Sequence, residues 1–341
     1  MKKTLLSIFA FVLYLLLNSC TQSEKQKVTV SFVEFSTDVS ITVFNVRESQ
    51  VEKVKEILYE AENIFKYFNS EMNVYEPGST LSKFNDNANA VKEVPKSLRK
   101  IFSVSGNIYK YTDRSFDIAI QPVVELWGFN TVASTPSKPD SCKIKEVLIF
   151  SNFDRYRFFN DSVLVTDNRC KIGLGGIAKG YAADSTGTYL ISKGLNDFIV
   201  AVGGDVLVGS ETPKTVGIRH PRKKGEVIDT LYISGKAIST SGDYEKYFEE
   251  ENTRYCHIID PSDGYGTSDM ISASVISEKS YMSDAFATAV FVMGREKGRY
   301  FIEKNNLSGI IYYFNENGDI LSDEINLEKY KRKNSMNGNE E

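Results

Sequence analysis

The order of its strand-like and helix-like segments is the feature that most constrains the fold of this chain. Val28 to Phe35 and Ile41 to Val46 are typical of strands, and the segment from Val51 to Phe68 has the apolar periodicity of an amphipathic helix. That helical face comprises Val51, Val54, Leu58, Ala61, Ile64, Phe65 and Phe68. Further helices are predicted to begin near Pro95 and to follow Gly180 and Asp284. Further strands are predicted at Val163 to Thr166, Phe198 to Val208, Leu231 to Ile238, Ile271 to Ile276 and Gly309 to Phe314. Because strands and helices do not alternate strictly, the order predicts an α+β fold of mixed or antiparallel sheets with packed helices, not a doubly wound sheet.

The N-terminus has the pattern of an export signal. Lys2 and Lys3 precede an apolar run from Leu5 to Leu17, which is too short to span a bilayer comfortably. Cys20 comes directly after Leu17-Asn18-Ser19, where the chain turns polar. We therefore expect residues 1–19 to be a lipoprotein signal peptide and Cys20 to be the acylated first residue. An ordinary cleaved signal, in which Cys20 is incidental, is the alternative.

The remaining chain has the composition of a globular protein. Removal of the signal leaves 39 basic against 45 acidic side chains, so that nothing in the charge indicates nucleic-acid binding. Residues 20–27 are predicted to be a polar tether, 28–330 a folded body and 331–341 a disordered tail. Ser134 to Ser141, with two prolines, predicts a surface loop.

The cysteines after Cys20 do not form a recognisable framework. Cys142, Cys170 and Cys256 are widely spaced and include no CxxC pair. Neither a zinc site nor a disulfide scaffold is indicated, although one disulfide is possible.

A glycine-rich segment is the first candidate for a ligand site. Gly173 to Gly180 places four glycines and Lys179 between a predicted strand and a predicted helix, an arrangement that brings backbone amides and an ammonium to phosphate. The segment is not a Walker A loop, because Gly180 follows the lysine, but it satisfies the loose dinucleotide fingerprint Gly173-x-Gly175-x-x-Ala178. A tight structural turn with a solvated lysine explains it about equally well.

Two further segments follow apolar strands. Gly203-Gly204-Asp205 ends the strand Phe198 to Val202, where glycines allow a ligand to approach and a carboxylate is presented, although a simple turn is the alternative. Ser239 to Tyr244 is rich in short hydroxyl side chains, which serve equally as turn formers or as phosphate ligands.

Proton transfer at neutral pH has two candidate imidazoles. His220 and His257 are the only histidines in the chain. His257 is the better candidate for a base, because it lies where an apolar strand stops before Pro261, whereas His220 has Arg219 and Arg222 close by. A histidine bonded in the core is the alternative.

Asp284 and Thr288 form a candidate metal site. They are four residues apart, so on a helix their oxygens point the same way and suit a hard cation such as Mg²⁺. The alternative is that Asp284 is only the N-cap of a helix from Ala285 to Met293.

In order along the chain, these segments resemble those of the FAD:protein FMN transferase family, also called the ApbE or thiamine-biosynthesis lipoprotein family. The segments that carry the resemblance are Met72 to Asn85, Phe116 to Ile118, Pro122, Leu126 to Phe129, Leu174 to Asp184, Gly203 to Asp205, Thr240 to Phe248, His257 to Gly264 and Asp284 to Gly294. They cover nearly the whole mature chain, and each is weak by itself. The resemblance implies an ApbE-like domain over residues 28–330.

The resemblance also implies a reaction and a set of site residues. FAD is cleaved with the help of Mg²⁺, FMN is transferred to a threonine or serine of an exported acceptor subunit of a membrane redox complex, and AMP is released. It implies that Mg²⁺ is bound by the side chains of Asp284 and Thr288 and the backbone oxygen of Gly176. His257 would deprotonate the acceptor hydroxyl, at a bacterial membrane facing the periplasm or cell exterior. The residues that would contact FAD are Tyr75, Phe116, Asp117, Lys179, His257 and Ile259.

The chain departs from the family pattern at four positions. Gly173 stands where the family usually has Asp, Ala201 where Asn is frequent, Asp263 where Thr is usual and Thr37 where an FAD-contacting Met is common. These departures concern contacts to the adenine side or the ribose more than the metal site.

Other functions remain open from the sequence. A Mg²⁺-dependent FAD pyrophosphatase would use the same site with water in place of the acceptor, and a lipid-anchored flavin-binding or storage protein would leave FAD intact. A nicotinamide oxidoreductase, suggested by the glycine fingerprint and Asp197, comes last because no clear βαβ unit surrounds the motif.

Overall fold

A computed structural model describes residues 25–129, 135–267 and 269–331. The predicted signal peptide, Cys20 and residues 332–341 of the predicted tail lie outside the described residues. Within the described part, no helix is both long enough and apolar enough to cross a membrane.

One large antiparallel sheet forms the centre of the molecule. Its eight strands lie in the order β1-β2-β6-β7-β10-β13-β14-β15, and each neighbouring pair is antiparallel. These strands are β1 (Lys25–Glu34), β2 (Thr37–Arg47), β6 (Phe198–Val202), β7 (Asp205–Val208), β10 (Ala237–Gly242), β13 (Ser272–Ser277), β14 (Ser308–Phe314) and β15 (Ile320–Ile325). The predicted α+β class is confirmed.

Three smaller sheets surround the large one. Their strands are β3 (Val91–Glu93), β4 (Tyr156–Phe159) and β5 (Ser162–Val165) in one sheet, the hairpin of β8 (Lys214–Arg219) and β9 (Val227–Ile233), and the hairpin of β11 (Tyr247–Glu250) and β12 (Thr253–Cys256).

The helices connect these sheets and cover one face of the large one. They are α1 (Val51–Met72), α2 (Thr80–Asp86), α3 (Lys96–Tyr111), α4 (Gln121–Leu126), α5 (Ser141–Leu148), α6 (Ala178–Ser192) and α7 (Ser280–Lys304). Helix α1 buries Val54, Leu58, Ala61 and Phe65 of the predicted apolar face against β1, β2 and α6. Helix α7 is interrupted at Gly294, whose φ of 76° is readily adopted only without a Cβ.

The large sheet is buried on both faces, and β13 illustrates how. All six of its residues are buried. Ala273 and Val275 belong to the core beneath α7, whereas Ile276 packs on the opposite face with Val216 and Leu231 of the β8–β9 hairpin. Side chains alternate across a strand, so one short segment contributes to two cores.

Several predicted boundaries differ from the structure. The expected strand from Phe198 to Val208 is two strands, because the Gly203-Gly204 turn reverses the chain between β6 and β7. The predicted strand from Leu231 to Ile238 likewise comprises the end of β9 and the start of β10. Residues 25–27, expected in the tether, already pair with β2.

The described thiols do not form the disulfide that the sequence allowed. Cys142, Cys170 and Cys256 are all free, and only Cys142 is exposed.

Candidate active site

A cleft of about 410 Å³ opens where the N-terminal ends of α6 and α7 meet the turn after β6. Its walls collect segments from the whole length of the chain. Among the lining residues are Tyr75, Phe116, Asp117, Gly173, Gly176, Lys179, Asp205, Ser241, His257, Ile259, Asp284 and Thr288. All predicted FAD-contacting and metal-binding residues therefore line one cavity.

The glycine-rich segment is held in place by contacts to its backbone. Asn85 donates to the Ile172 carbonyl and accepts from the Ile172 amide, both at 2.9 Å. The next amide, of Gly173, donates to the Ile118 carbonyl at 2.8 Å. The segment was expected to lie between a strand and a helix, and it does so at a distance, because β5 ends at Val165 and an irregular stretch of chain leads into α6. Hydrogen bonds from the Asn85 side chain, and not pairing with a strand, therefore fix the backbone at the start of the segment.

Lys179 is the cation at the centre of the site. Its Nζ lies 3.3 Å from Oδ2 of Asp205 and 3.3 Å from both carboxylate oxygens of Asp284, and it donates to the Gly175 carbonyl at 3.1 Å. The turn at Gly203-Gly204 positions Asp205, as the sequence suggested, because Asp205 is the first residue of β7. The alternative of a solvated lysine is wrong.

The two carboxylates outnumber the ammonium in a nearly dry environment. Asp205 is 2% exposed and Asp284 4% exposed. Burial, and after it the proximity of the Asp205 carboxylate, raises the pKa of Asp284, against the opposing effect of Lys179. Burial alone would lower the pKa of Lys179, but Asp205 and Asp284 outweigh it and raise that pKa. Oδ2 of Asp205 receives no hydrogen bond of good geometry despite the nearby ammonium. The site therefore has capacity for additional positive charge.

Asp284 and Thr288 are positioned by α7. The helix begins at Ser280, so Asp284 lies inside it, and the alternative of an N-cap is wrong. The other part of that alternative, that Thr288 bonds back into its own turn, is confirmed, because its Oγ1 donates to the Asp284 carbonyl at 3.2 Å. Oδ2 of Asp284 accepts from the Gly180 amide at 3.2 Å, and Oγ1 of Thr288 lies 3.3 Å from Oγ of Ser241. A Cβ at Gly176 would meet that Thr288 hydroxyl at 3.0 Å, which shows how closely the loop approaches the helix.

These residues fit a hard cation. Asp284, Thr288 and the Gly176 backbone contribute oxygen donors, which Mg²⁺ prefers, and the buried carboxylates carry the excess negative charge. Mg²⁺ retains several water ligands and needs few from the protein. The described residues contain no cluster of three or more His, Cys, Asp or Glu side chains suited to a metal.

His257 lies at the end of β12 on another wall of the cleft. Its Nδ1 is 3.3 Å from the Lys246 carbonyl, and donation along that contact leaves Nε2 as the acceptor. Burial, together with the charges of Lys246 and Lys179, lowers the pKa of His257 to about 4. A base with a near-neutral pKa was expected, whereas burial, reinforced by the charges of Lys246 and Lys179, holds the pKa of His257 below that range. His220 instead accepts from the Arg222 and Lys223 amides in a surface turn.

The remaining residues that were predicted to contact FAD differ in the chemical groups of their side chains. Phe116 and Ile259 are buried apolar walls, and Tyr75 is partly exposed with the Lys246 ammonium 5.4 Å from its ring centre. The Asp117 carboxylate already accepts from the Ala119 and Phe153 amides at 2.7 and 3.0 Å. Burial raises the pKa of Asp117 to about 7. Its carboxylate thus holds the turn before α4, and the predicted contact of Asp117 with FAD stays a prediction.

Two cleft residues were not anticipated from the sequence. The Lys246 ammonium lies over the Tyr75 ring, and the Lys246 carbonyl lies beside Nδ1 of His257. Gln121, the first residue of α4, is 4% exposed and lines the cleft beside Gly173. Both lie in or beside segments that carry the family resemblance, but single residues of these types have no spacing signal that would single them out.

The βαβ unit needed for a nicotinamide site is absent from the described part of the chain around the glycine segment. The strands that flank α6 in sequence, β5 and β6, belong to different sheets. Asp197 accepts from Asn45 and pairs with Lys214, outside the cleft.

Comparisons with known proteins agree along nearly the whole chain. The ApbE family model matches residues 35–312. A FAD:protein FMN transferase of Haemophilus influenzae is 28% identical over 93% of this chain and 95% of its own length, and one of Vibrio cholerae is 26% identical over 91% and 94%.

Solved structures share the fold. The ApbE protein of Thermotoga maritima superposes with a TM-score of 0.81 at 29% identity, over 90% of this chain and all of that chain. The flavin transferase ApbE of Vibrio cholerae superposes with a TM-score of 0.79 at 22% identity, over 90% of this chain and 99% of that chain. With the family model spanning most of the described residues and the fold shared throughout, this chain belongs to the ApbE family.

Proposed function

We propose that this protein is a FAD:protein FMN transferase. Curated relatives that match more than nine-tenths of the chain carry that name. The observation that supports the proposal most strongly is the convergence in one cleft of Lys179, the Asp205 and Asp284 carboxylates and His257. Group transfer from a pyrophosphate needs charge neutralisation and a proton acceptor, and the cleft contains residues for both.

The proposed metal is Mg²⁺, held by the Asp284 carboxylate, the Thr288 hydroxyl and the Gly176 carbonyl. When bound, the ion would supply positive charge to the phosphate oxygens of FAD. The excess of buried carboxylates over ammonium groups supports this assignment.

The chain's own residues have separable roles in the proposed reaction. Lys179 binds a phosphate oxygen, and its raised pKa keeps it charged throughout the physiological range. His257 receives the proton of the acceptor hydroxyl at Nε2, since Nδ1 faces the Lys246 carbonyl. The threonine or serine oxygen then forms the new bond to the FMN phosphorus, and the bond to AMP breaks. Tyr75, Phe116 and Ile259 bind the rings or sugars of FAD.

The proposed setting is a bacterial membrane, with the protein anchored through acylated Cys20 and facing the periplasm or the cell exterior. The basic, apolar and cysteine-containing N-terminal pattern supports it. Exported flavin-carrying subunits of membrane redox complexes are the proposed acceptors.

The test is to mix the full-length protein in detergent with FAD, Mg²⁺ and a candidate exported acceptor fragment, and to measure AMP and the acceptor mass together. Transfer predicts AMP with an FMN-sized mass gain on the acceptor. AMP with free FMN only, at the same rate with or without acceptor, would show a pyrophosphatase. Intact FAD after hours with Mg²⁺ would show a binding or storage protein.

A further inference from the structure

Gln121 and Gly173 form an unusual pair in the wall of the cleft. A Cβ on Gly173 would lie 2.1 Å from Oε1 of Gln121 and 3.0 Å from its Cδ. The Gln121 carboxamide therefore occupies the space that any side chain at position 173 would need. Whatever polar group the cleft presents at this point comes from Gln121.

The backbone on the Gly173 side is not free to move away. Asn85 fixes Ile172 through two hydrogen bonds, and the Gly173 amide is bound to the Ile118 carbonyl. The Gln121 side chain therefore occupies the space that it and a side chain at position 173 would both need.

The Gln121 carboxamide is also oriented by its neighbours. Its Nε2 donates to Oε1 of Glu125, one turn along α4, at 3.4 Å, and the other oxygen of Glu125 accepts from Lys171 at 2.7 Å. The Gln121 side chain also opposes the rise in pKa that burial causes in the Tyr75 phenol. A buried amide held in this way is arranged in advance for a ligand.

We propose that Gln121 determines the nucleotide specificity of this protein by hydrogen-bonding a ring edge of FAD from the space above Gly173. This inference rests on the proposed function. A carboxamide has an acceptor and two donors side by side, so it pairs with planar edges that carry an adjacent donor and acceptor. Both adenine and the flavin ring have such an edge, and FAD contains both.

The decisive variant is Gln121→Met, which keeps the length and volume of the side chain but removes its polar atoms. Affinities for FAD, ADP and FMN are measured by calorimetry on the full-length protein with Mg²⁺, with melting temperature as the control for folding. We expect Gln121→Met to weaken FAD binding about tenfold or more, which corresponds to about 1.4 kcal/mol. A matching loss for ADP but not FMN identifies adenine as the partner, and the reverse identifies the flavin ring.

A rescue experiment separates hydrogen bonding from packing. Gly173→Asp alone should weaken FAD binding, because its side chain collides with the Gln121 amide. In the double variant Gln121→Ala/Gly173→Asp, most of that amide is gone and a carboxylate presents acceptor oxygens from the other side, so affinity should recover in part.

The proposal is overturned if Gln121→Met binds FAD as the wild type does, because Gln121 would then only fill space. It is also overturned if the double variant binds FAD no better than Gly173→Asp does while both variants melt normally. A wild-type protein that binds no FAD would refute the proposed function itself, which is a separate result.

Discussion

Gly180 is the point at which α6 and α7 are in closest contact, and replacing it tests how the site is assembled. A Cβ at Gly180 would lie 2.4 Å from the Ser280 carbonyl oxygen and 2.7 Å from the Tyr281 Cα, whereas ordinary contact begins near 3.4 Å. Because both atoms belong to backbone, Gly180→Ala can be accommodated only if the helices separate by about 1 Å, a distance that packed interiors resist.

The expected change in the free energy of unfolding is the sum of two opposing contributions. Overpacking of a core typically costs about 1–3 kcal/mol, and this contact lies at the upper end because no flexible side chain can yield. Alanine recovers about 1 kcal/mol through its higher helix propensity. We therefore expect Gly180→Ala to lower the free energy of unfolding by about 2 kcal/mol, and the melting temperature of a folded body of this size by about 3 °C.

The matched control is Gly187→Ala in the same helix. Its Cβ would meet Cδ2 of Leu207 at 2.8 Å and ring atoms of Phe198 beyond it, which are ends of side chains that can adjust. Thermal unfolding followed by circular dichroism should show a clearly smaller loss for this variant. Equal losses in both variants, or a Gly180→Ala protein as stable as the wild type, would refute the reasoning.

Three further predictions concern the charged groups of the site. In histidine NMR spectra, the His257 signal, assigned by its loss in His257→Asn, should titrate near pH 4, and a midpoint near 6.5 would contradict the lowered pKa. Because the unfolded histidine takes up its proton first, this group's contribution to stability should be complete above about pH 6.5 and fall as the pH falls towards 4, as urea unfolding at several pH values would show. Asp284→Ala should fold but lose FAD turnover by about 100-fold or more, and retained Mg²⁺-dependent turnover would exclude the proposed metal site. Lys179→Met should bind Mg²⁺ more tightly without FAD, since Asp205 and Asp284 lose their shared ammonium, and calorimetry showing weaker binding would contradict that competition.

The sequence predicted what depends on local pattern. The face of α1, the strands around Ile41 and Val275, and the α+β class all follow from residue periodicity, and the structure confirms them. The convergence of Lys179 with Asp205 and Asp284 was not deducible from spacing, because 105 residues separate the first and the last of them. Only the resemblance to a family brought these segments together before the structure did.

The errors have physical reasons as well. Asp284 satisfies the rule for an N-cap, yet α7 begins a turn earlier, because Asp184 of α6 accepts from the Ser280 and Tyr281 amides and caps the helix from outside. The pKa of His257 depends first on burial and then on the charges of Lys246 and Lys179, all of which are set by tertiary packing. Neither effect leaves a trace in the local sequence.

The close contact between α6 and α7 at Gly180 explains why Lys179 lies against two carboxylates. Asp184 and Gly180 together bring the start of α7 against the start of α6, which places the Asp284 carboxylate at the Gly180 amide and beside Lys179. The turn before β7 adds the second buried carboxylate, Asp205. Lys179 is the cation in contact with both carboxylates, so an additional cation beside them, accompanied by a phosphate, would pair the remaining buried charge. Packing between two helix ends thus favours a ligand that is anionic and accompanied by a cation, which the proposed ligand, the pyrophosphate of FAD with Mg²⁺, would satisfy.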